Sequence, residues 1–305
     1  MLRWRLLSTA VILAGLLTLV WLDLTRPFFG VTGGWLAPLL LLVTVLATEE
    51  VLSLFAAKDH RPVAWPVYLG TISIAAASCV PLWWELTGWK FPGRASLGYF
   101  GWPLAALAIA TTLSFFAEMQ RYKAPGQATV NIALAAFTMV YVGVLSGFIA
   151  ALRLLHGNEW GLAALISLLF IVKMTDAGAY LSGRALGRHK MTPVLSPGKT
   201  IEGAIGGLAW ACFAGWLFFQ HIAPSIVGSE YTMPPVWAWI SYSLIVAIAG
   251  MLGDLAESLL KRDMQRKDSS TWLPGLGGVL DIIDSILVAA PPAFLCWTWG
   301  LVGPG

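Results

Sequence analysis

Charge is what this sequence has least of. Asp, Glu, Lys and Arg make up 11% of its 305 residues, against 58% hydrophobic residues and a mean hydropathy of +0.75. A soluble globule carries about 25% charged residues, so that class is excluded. Cysteine is nearly as sparse. Cys79, Cys212 and Cys296 are scattered through apolar stretches, which excludes a disulfide framework and leaves no metal-ligand spacing. The formal net charge is only +3 and the basic residues sit at the ends of apolar segments, so no nucleic-acid partner is expected. No internal repeat or low-complexity segment is present. Residues 1–5 and the apolar run behind them imitate a signal peptide, but no small-residue cleavage site follows Val20-Trp21-Leu22-Asp23, and the run is read as a retained helix.

What the chain has instead is a series of apolar runs, each long enough for a helix to cross about 30 Å of hydrocarbon. The expected fold is all-α, a polytopic integral membrane protein with about nine transmembrane helices near 7–25, 35–57, 63–84, 101–118, 129–151, 160–182, 201–222, 236–256 and 279–302. Many of the 16 Trp residues lie near span ends, where interfacial anchors belong. With the N-terminus cytoplasmic, that side holds 14 of the 19 Lys and Arg residues. The opposite side holds Arg26, Lys90, Arg94 and Arg153, and Lys173 falls inside a span. The asymmetry orients the N-terminus inward and the C-terminus outward.

Two regions differ in chemistry. Residues 1–155 are spans joined by short loops, and residues 156–305 form a C-terminal catalytic region within one integrated membrane domain. Among the first spans only Glu49-Glu50 stand out. Adjacent helical residues point about 100° apart, so one can meet a polar cavity while the other reaches a neighbouring helix.

Near the C-terminus Gly253-Asp254, SLLKRDMQRKD (258–268) and PGLGGVLDIID (274–284) crowd charge between two apolar segments. Ionisable groups at a bilayer cost several kcal/mol unless paired or metal-bound, which makes them functional candidates. Asp254, Glu257, Ser258, Lys261, Arg262 and Gln265 recur at helical spacing along one stripe. Carboxylates and cations together suit a Mg²⁺-bound polyphosphate, although a solvated amphipathic helix has the same pattern. Gly277 and Gly278 belong to a side-chain-poor loop whose amides can approach phosphate. Asp281 and Asp284 then enter an apolar span on one helical face. Asp254 and Asp281, on successive helices at the same membrane boundary, are expected to hold a cation jointly.

A second cluster lies upstream. Lys173, Thr175 and Asp176 interrupt the sixth span, Gly178, Gly183 and Gly187 permit close helix approach, and SPGKTIEG (196–203) leads into the seventh. Gly198-Lys199-Thr200 imitates a nucleotide-binding P-loop, but Pro193 stands where the first glycine is required and no strand is expected before it. Lys199 reads better as a phosphate-facing cation beside a helix start, with Ser196 as a candidate cap and Glu202 in the first turn.

DAGAYLSGRALGRHK (176–190), SPGKTIEG, GDLAESLLKRDMQRKD (253–268) and PGLGGVLDIIDS (274–285) resemble the phosphatidate cytidylyltransferases, the CDP-diacylglycerol synthases, in order and spacing from Asp176 to Pro291. Upstream, only the hydropathy and the acidic second span are similar. The resemblance implies CTP and phosphatidate as partners, CDP-diacylglycerol and pyrophosphate as products, and Mg²⁺ with room for a second cation. It also implies a cytoplasmic-facing site in a bacterial-type inner or plasma membrane, and a homodimer. Carried over by position, Asp254 and Asp281 are the metal acids. Lys199, Lys261, Arg262, Lys267 and Asp268 take catalytic positions, and Asp176, Ser196, Ser258, Gly277 and Gly278 substrate-binding ones. The chain departs from the family at Leu276 and Ile282, commonly His and Arg, and at Gly198, commonly Lys.

The implied chemistry is the attack of a lipid phosphate oxygen on the α-phosphorus of CTP. It needs cationic neutralisation and no covalent nucleophile. Two rival readings use similar residues. One is a CTP-dependent polyprenol or phytol kinase, which releases CDP. The other is a membrane transporter with charged groups among broken helices, against which the one-sided clustering of charge and the lack of a repeat both count.

Overall fold

The computed structural model describes residues 2–31, 33–88, 98–270 and 277–304. Lys90 and Arg94 of the orientation count, and Pro274, Gly275 and Leu276 of the glycine-rich loop, lie outside the described residues. The chain is an all-α integral membrane protein that divides into two compact units, one of residues 1–151 with 263–282, the other of 152–262 with 283–305.

The first unit contains α1 (Leu2–Thr25), α2 (Leu36–Ala56), α3 (Ala64–Ser78), α4 (Val80–Leu86), α5 (Gly98–Arg121), α6 (Ala128–Thr138) and α7 (Leu145–Arg153, up to its boundary). A π-helical turn, Met139–Val144, joins α6 to α7 without breaking the rod. Its core is Val67, Ile74, Ala110, Ala135 and Met139. Gly70 lets the helices close on one another, because a Cβ there would lie 2.9 Å from both Ala110 Cβ and Met139 Cε. Thr48 donates to Thr71 at 3.0 Å and satisfies a buried hydroxyl between α2 and α3.

The second unit contains α8 (Asn158–Leu186), β1 (Lys190–Thr192), β2 (Ser196–Thr200), α9 (Ile201–Leu217), α10 (Ala223–Val227), α11 (Val236–Asp263, up to Arg262) and most of α12 (Leu280–Thr298). Small residues again set the packing. A Cβ on Gly207 would lie 2.7 Å from Met251 Cε and 3.1 Å from Ala179 Cβ. Away from the charged end, Ser167 and Tyr242 share a 2.6 Å hydrogen bond while Trp297 Nε1 donates to Ser167 at 3.3 Å.

Among the described residues seven helices are long and apolar enough to cross a bilayer, with an eighth span if α3 and α4, bent by 65°, are counted together. The expected nine is not reached by that count. The remaining run contributes the shorter apolar helix Ala10–Thr25. The antiparallel pair β1 and β2 was not expected either, and it does place a strand ahead of Lys199. Strands of three and five residues are too short to stand out as a period-two pattern.

Candidate active site

The polar centre of the second unit is built by a close approach of α11 to α12. At Gly253 a Cβ would lie 2.6 Å from the Asp284 carbonyl oxygen and 3.0 Å from Ser285 Cα. Only glycine permits that spacing, and it brings the next residue, Asp254, beside Asp284. Glu257, one turn further along α11, completes the group. One carboxylate oxygen from each of Asp254, Glu257 and Asp284 lies within 4.8 Å of the other two. Glu257 and Asp284 are buried, and Asp254 is partly open.

Two lysines oppose these acids. Lys199 Nζ lies 2.7 Å from Asp254 Oδ2, and Lys261 Nζ lies 2.6 Å from Glu257 Oε2. Asp284 has no ion-pair partner among the described residues and accepts from its neighbour, Ser285 Oγ, at 3.1 Å. With the neighbouring pair of Lys173 and Asp176 included, four carboxylates thus face three ammonium groups. Removing one partner from a buried ion pair costs about 3–5 kcal/mol, because the remaining charge is stranded, so a net excess here calls for a further cation.

Asp254 and Lys199 also line a cavity of about 420 Å³, together with Asp176, Tyr180, Arg184, Ser196 and Thr200. Its walls come from α8, β1, β2, α9 and α11. Lys173 pairs with Asp176 at 3.5 Å, and Arg184 donates to the Tyr180 hydroxyl at 3.2 Å.

Lys199 is held by the junction of β2 with α9. Thr200 Oγ1 caps α9 by accepting from Gly203 N at 3.1 Å. Ser196, expected as a candidate cap, is not the cap, because the strand continues to Thr200 and places Ser196 at its other end. Glu202 accepts from the backbone N–H groups of Arg188 at 3.0 Å and His189 at 3.2 Å, and meets His189 Nδ1 at 2.6 Å. It therefore ties the first turn of α9 to the connection between α8 and β1. Arg262 Nε donates to the Leu195 carbonyl at 3.3 Å and ties the end of α11 to the same hairpin. A Cβ at Gly198 would meet nothing within 4 Å, so packing does not demand glycine there.

Of the residues expected from sequence, Asp176, Ser196, Lys199 and Asp254 thus share one cavity, and Lys261 engages Glu257. Ser258 is partly buried on α11. Arg262 also belongs to the second unit, whereas Lys267, Asp268, Gly277, Gly278 and Asp281 belong to the first. Lys267 and Asp268 are exposed. Gly278 N donates to Asp281 Oδ2 at 2.7 Å, as does Ser269 Oγ at 2.7 Å. Gly277 adopts φ 89°, where a larger residue is strained. The described group of carboxylates contains Asp284, where the sequence had paired Asp254 with Asp281. Glu257 was visible as the third residue after Asp254 on the same stripe, but its role as a donor was not. Glu50 stood out in the sequence together with Glu49, but its partners did not: it accepts from Ser269, Ser270, Val279 and Leu280, and no local pattern announces partners 219 to 230 positions away.

This geometry occurs in a membrane protein that belongs to the Cytidylyltransferase family, whose model matches residues 3–299. Three similar proteins each bear the name phosphatidate cytidylyltransferase. That of Haemophilus influenzae is 41% identical over 136 residues, 45% of this chain and 46% of the relative. The Brucella suis protein is 42% identical over 152 residues, covering 49% and 53%. The Staphylococcus aureus protein is 37% identical over 162 residues, covering 53% and 57%. The chain spans about half the length of the curated relatives it matches.

Proposed function

We propose that the chain is a nucleotidyltransferase that converts CTP and phosphatidate to CDP-diacylglycerol and pyrophosphate. The observation that carries this reading is the group Asp254, Glu257 and Asp284 beside Lys199 at a cavity, in a chain of the Cytidylyltransferase family. The donor set fits a divalent cation, since it offers three hard carboxylate oxygens, two of them on buried residues, and an uncompensated negative charge. Asp254, Glu257 and Asp284 would hold Mg²⁺, which when bound screens phosphate charge and polarises the α-phosphorus. Asp281, the other acid expected from sequence, accepts from Ser269 Oγ and Gly278 N at the start of α12.

Lys199 is placed to trade its bond with Asp254 for a phosphate oxygen, and Asp176, Ser196 and Ser258 are assigned to substrate contacts. Lys261 holds Glu257 in place. Arg262 and Lys267, at the end of α11 and just beyond it in sequence, add positive charge for the polyphosphate, and Asp268 stays with that segment. A phosphate oxygen of phosphatidate attacks the α-phosphorus. The bond from that phosphorus to the bridging oxygen breaks, and its electron pair departs with pyrophosphate. No base is required, because a phosphate monoester is already ionised at neutral pH. The acyl chains stay in lipid, and the Lys and Arg asymmetry supports a reacting end on the cytoplasmic face.

The test is pyrophosphate release by the purified protein in mixed micelles with CTP, phosphatidate and Mg²⁺, with the lipid product followed in parallel. CDP-diacylglycerol formation that is lost in Asp284→Asn supports the reading. Release of CDP with a polyprenol, and none of pyrophosphate with phosphatidate, would replace it by the kinase.

A further inference from the structure

Glu50 on α2 is 4% exposed and carries four hydrogen bonds, all from the segment that begins α12. Its Oε1 accepts from Ser270 Oγ at 2.9 Å and Val279 N at 2.8 Å. Its Oε2 accepts from Ser269 Oγ at 3.0 Å and Leu280 N at 2.8 Å. Every one of these partners is neutral. Two are backbone N–H groups at a helix start, where the orphan donors and the helix dipole both favour an anion. The carboxylate therefore occupies the place that a phosphate takes at many helix N-termini.

Two further contacts show how closely the segment is built around this side chain. A Cβ on Gly278 would fall on the Glu50 carboxylate and the Ser269 hydroxyl, so glycine is required there for reasons separate from backbone conformation. Ser269 Oγ also reaches Asp281 Oδ2, at 2.7 Å. A hydroxyl has one proton, so it is shared between Glu50 and Asp281 and links the two acids. Asp284 lies one turn further along the same helix.

We propose that Glu50 is a positioning residue that anchors residues 269–270 and 278–280 and fixes the start of α12, the helix that carries Asp284. The proposal rests on the cytidylyltransferase reading for its catalytic consequence only. Glu50 touches neither substrate nor metal. It acts through the helix it caps.

Glu50→Gln tests this sharply, because the new amide NH₂ would face donors where an oxygen had accepted them. The full chain in detergent micelles is compared with wild type by hydrogen exchange of peptides covering 277–285 and by CDP-diacylglycerol formation over a range of Mg²⁺ concentrations. The expected result is exchange about tenfold faster in that segment alone. Turnover is expected to fall about tenfold with an unchanged KM for CTP, and the Mg²⁺ concentration for half-maximal rate to rise. Gly278→Ala, which pushes on the same carboxylate, is expected to reproduce both effects. Wild-type exchange at 277–285 in both variants would overturn the proposal, as would acceleration spread evenly over the chain. If the wild type makes no CDP-diacylglycerol, the functional reading falls and the exchange data alone still decide whether Glu50 is the anchor.

Discussion

Glu50 and the group Asp254, Glu257 and Asp284 are acids withdrawn from water in one chain, and they are compensated in opposite ways. Around Glu50 the partners are four neutral donors, two hydroxyls and two backbone amides. Around the group they are ammonium ions, Lys199 on Asp254 and Lys261 on Glu257, with Asp284 left without an ion pair among the described residues. A carboxylate whose lone pairs are filled by a folded backbone is a finished structural element. A set of acids with one charge too many is a candidate binding site, which a cationic ligand would complete.

The contrast breaks most readily at Asp284. Asp284→Asn is expected to lower CDP-diacylglycerol formation by at least about a thousandfold, as measured by labelled product, with little loss of folded protein. A variant with near-wild-type turnover would refute the metal assignment. Chelation of divalent ions should abolish activity reversibly, with recovery on adding Mg²⁺.

Lys199→Ala comes next, at about a hundredfold in turnover. The loss of one phosphate-facing cation frees Asp254 and should tighten apparent Mg²⁺ affinity even as turnover falls, which a Mg²⁺ titration reads directly. Gly253→Ala sharpens the geometry. Its added methyl would press on the Asp284 carbonyl, separate α11 from α12 and raise the Mg²⁺ requirement about tenfold. The smallest effect is expected at Thr200→Ala. Losing the cap on α9 costs about 1 kcal/mol, visible as a lowered midpoint of thermal unfolding with activity largely retained.

Much of this was legible along the chain. Apolar runs of bilayer length announced the helices, since backbone groups inside hydrocarbon must satisfy one another. Asp254, Glu257 and Lys261 were readable as one stripe from their spacing, and the structure keeps them on one face of α11. The hairpin of β1 and β2 was not readable, because strands so short lack a pattern. That Asp284 joins Asp254 and Glu257 was not readable either, because it follows from the close approach of α11 to α12 at Gly253. Glu49 and Glu50 were known to diverge. Glu49 accepts from the Tyr68 hydroxyl on α3 while Glu50 turns to the start of α12.

The sequence by itself determined the membrane class, the order of the helices, the side on which charge gathers and the position of Lys199 just before a helix. All of these follow from hydropathy and helical periodicity, which act between residues a few positions apart. Tertiary structure alone decided which acids are completed by neutral donors and which gather with one another beside lysines. That outcome depends on what long-range packing brings to each carboxylate. Glu50 meets its donors across more than two hundred residues of chain, and Asp254 meets Asp284 only because glycine lets two helices touch.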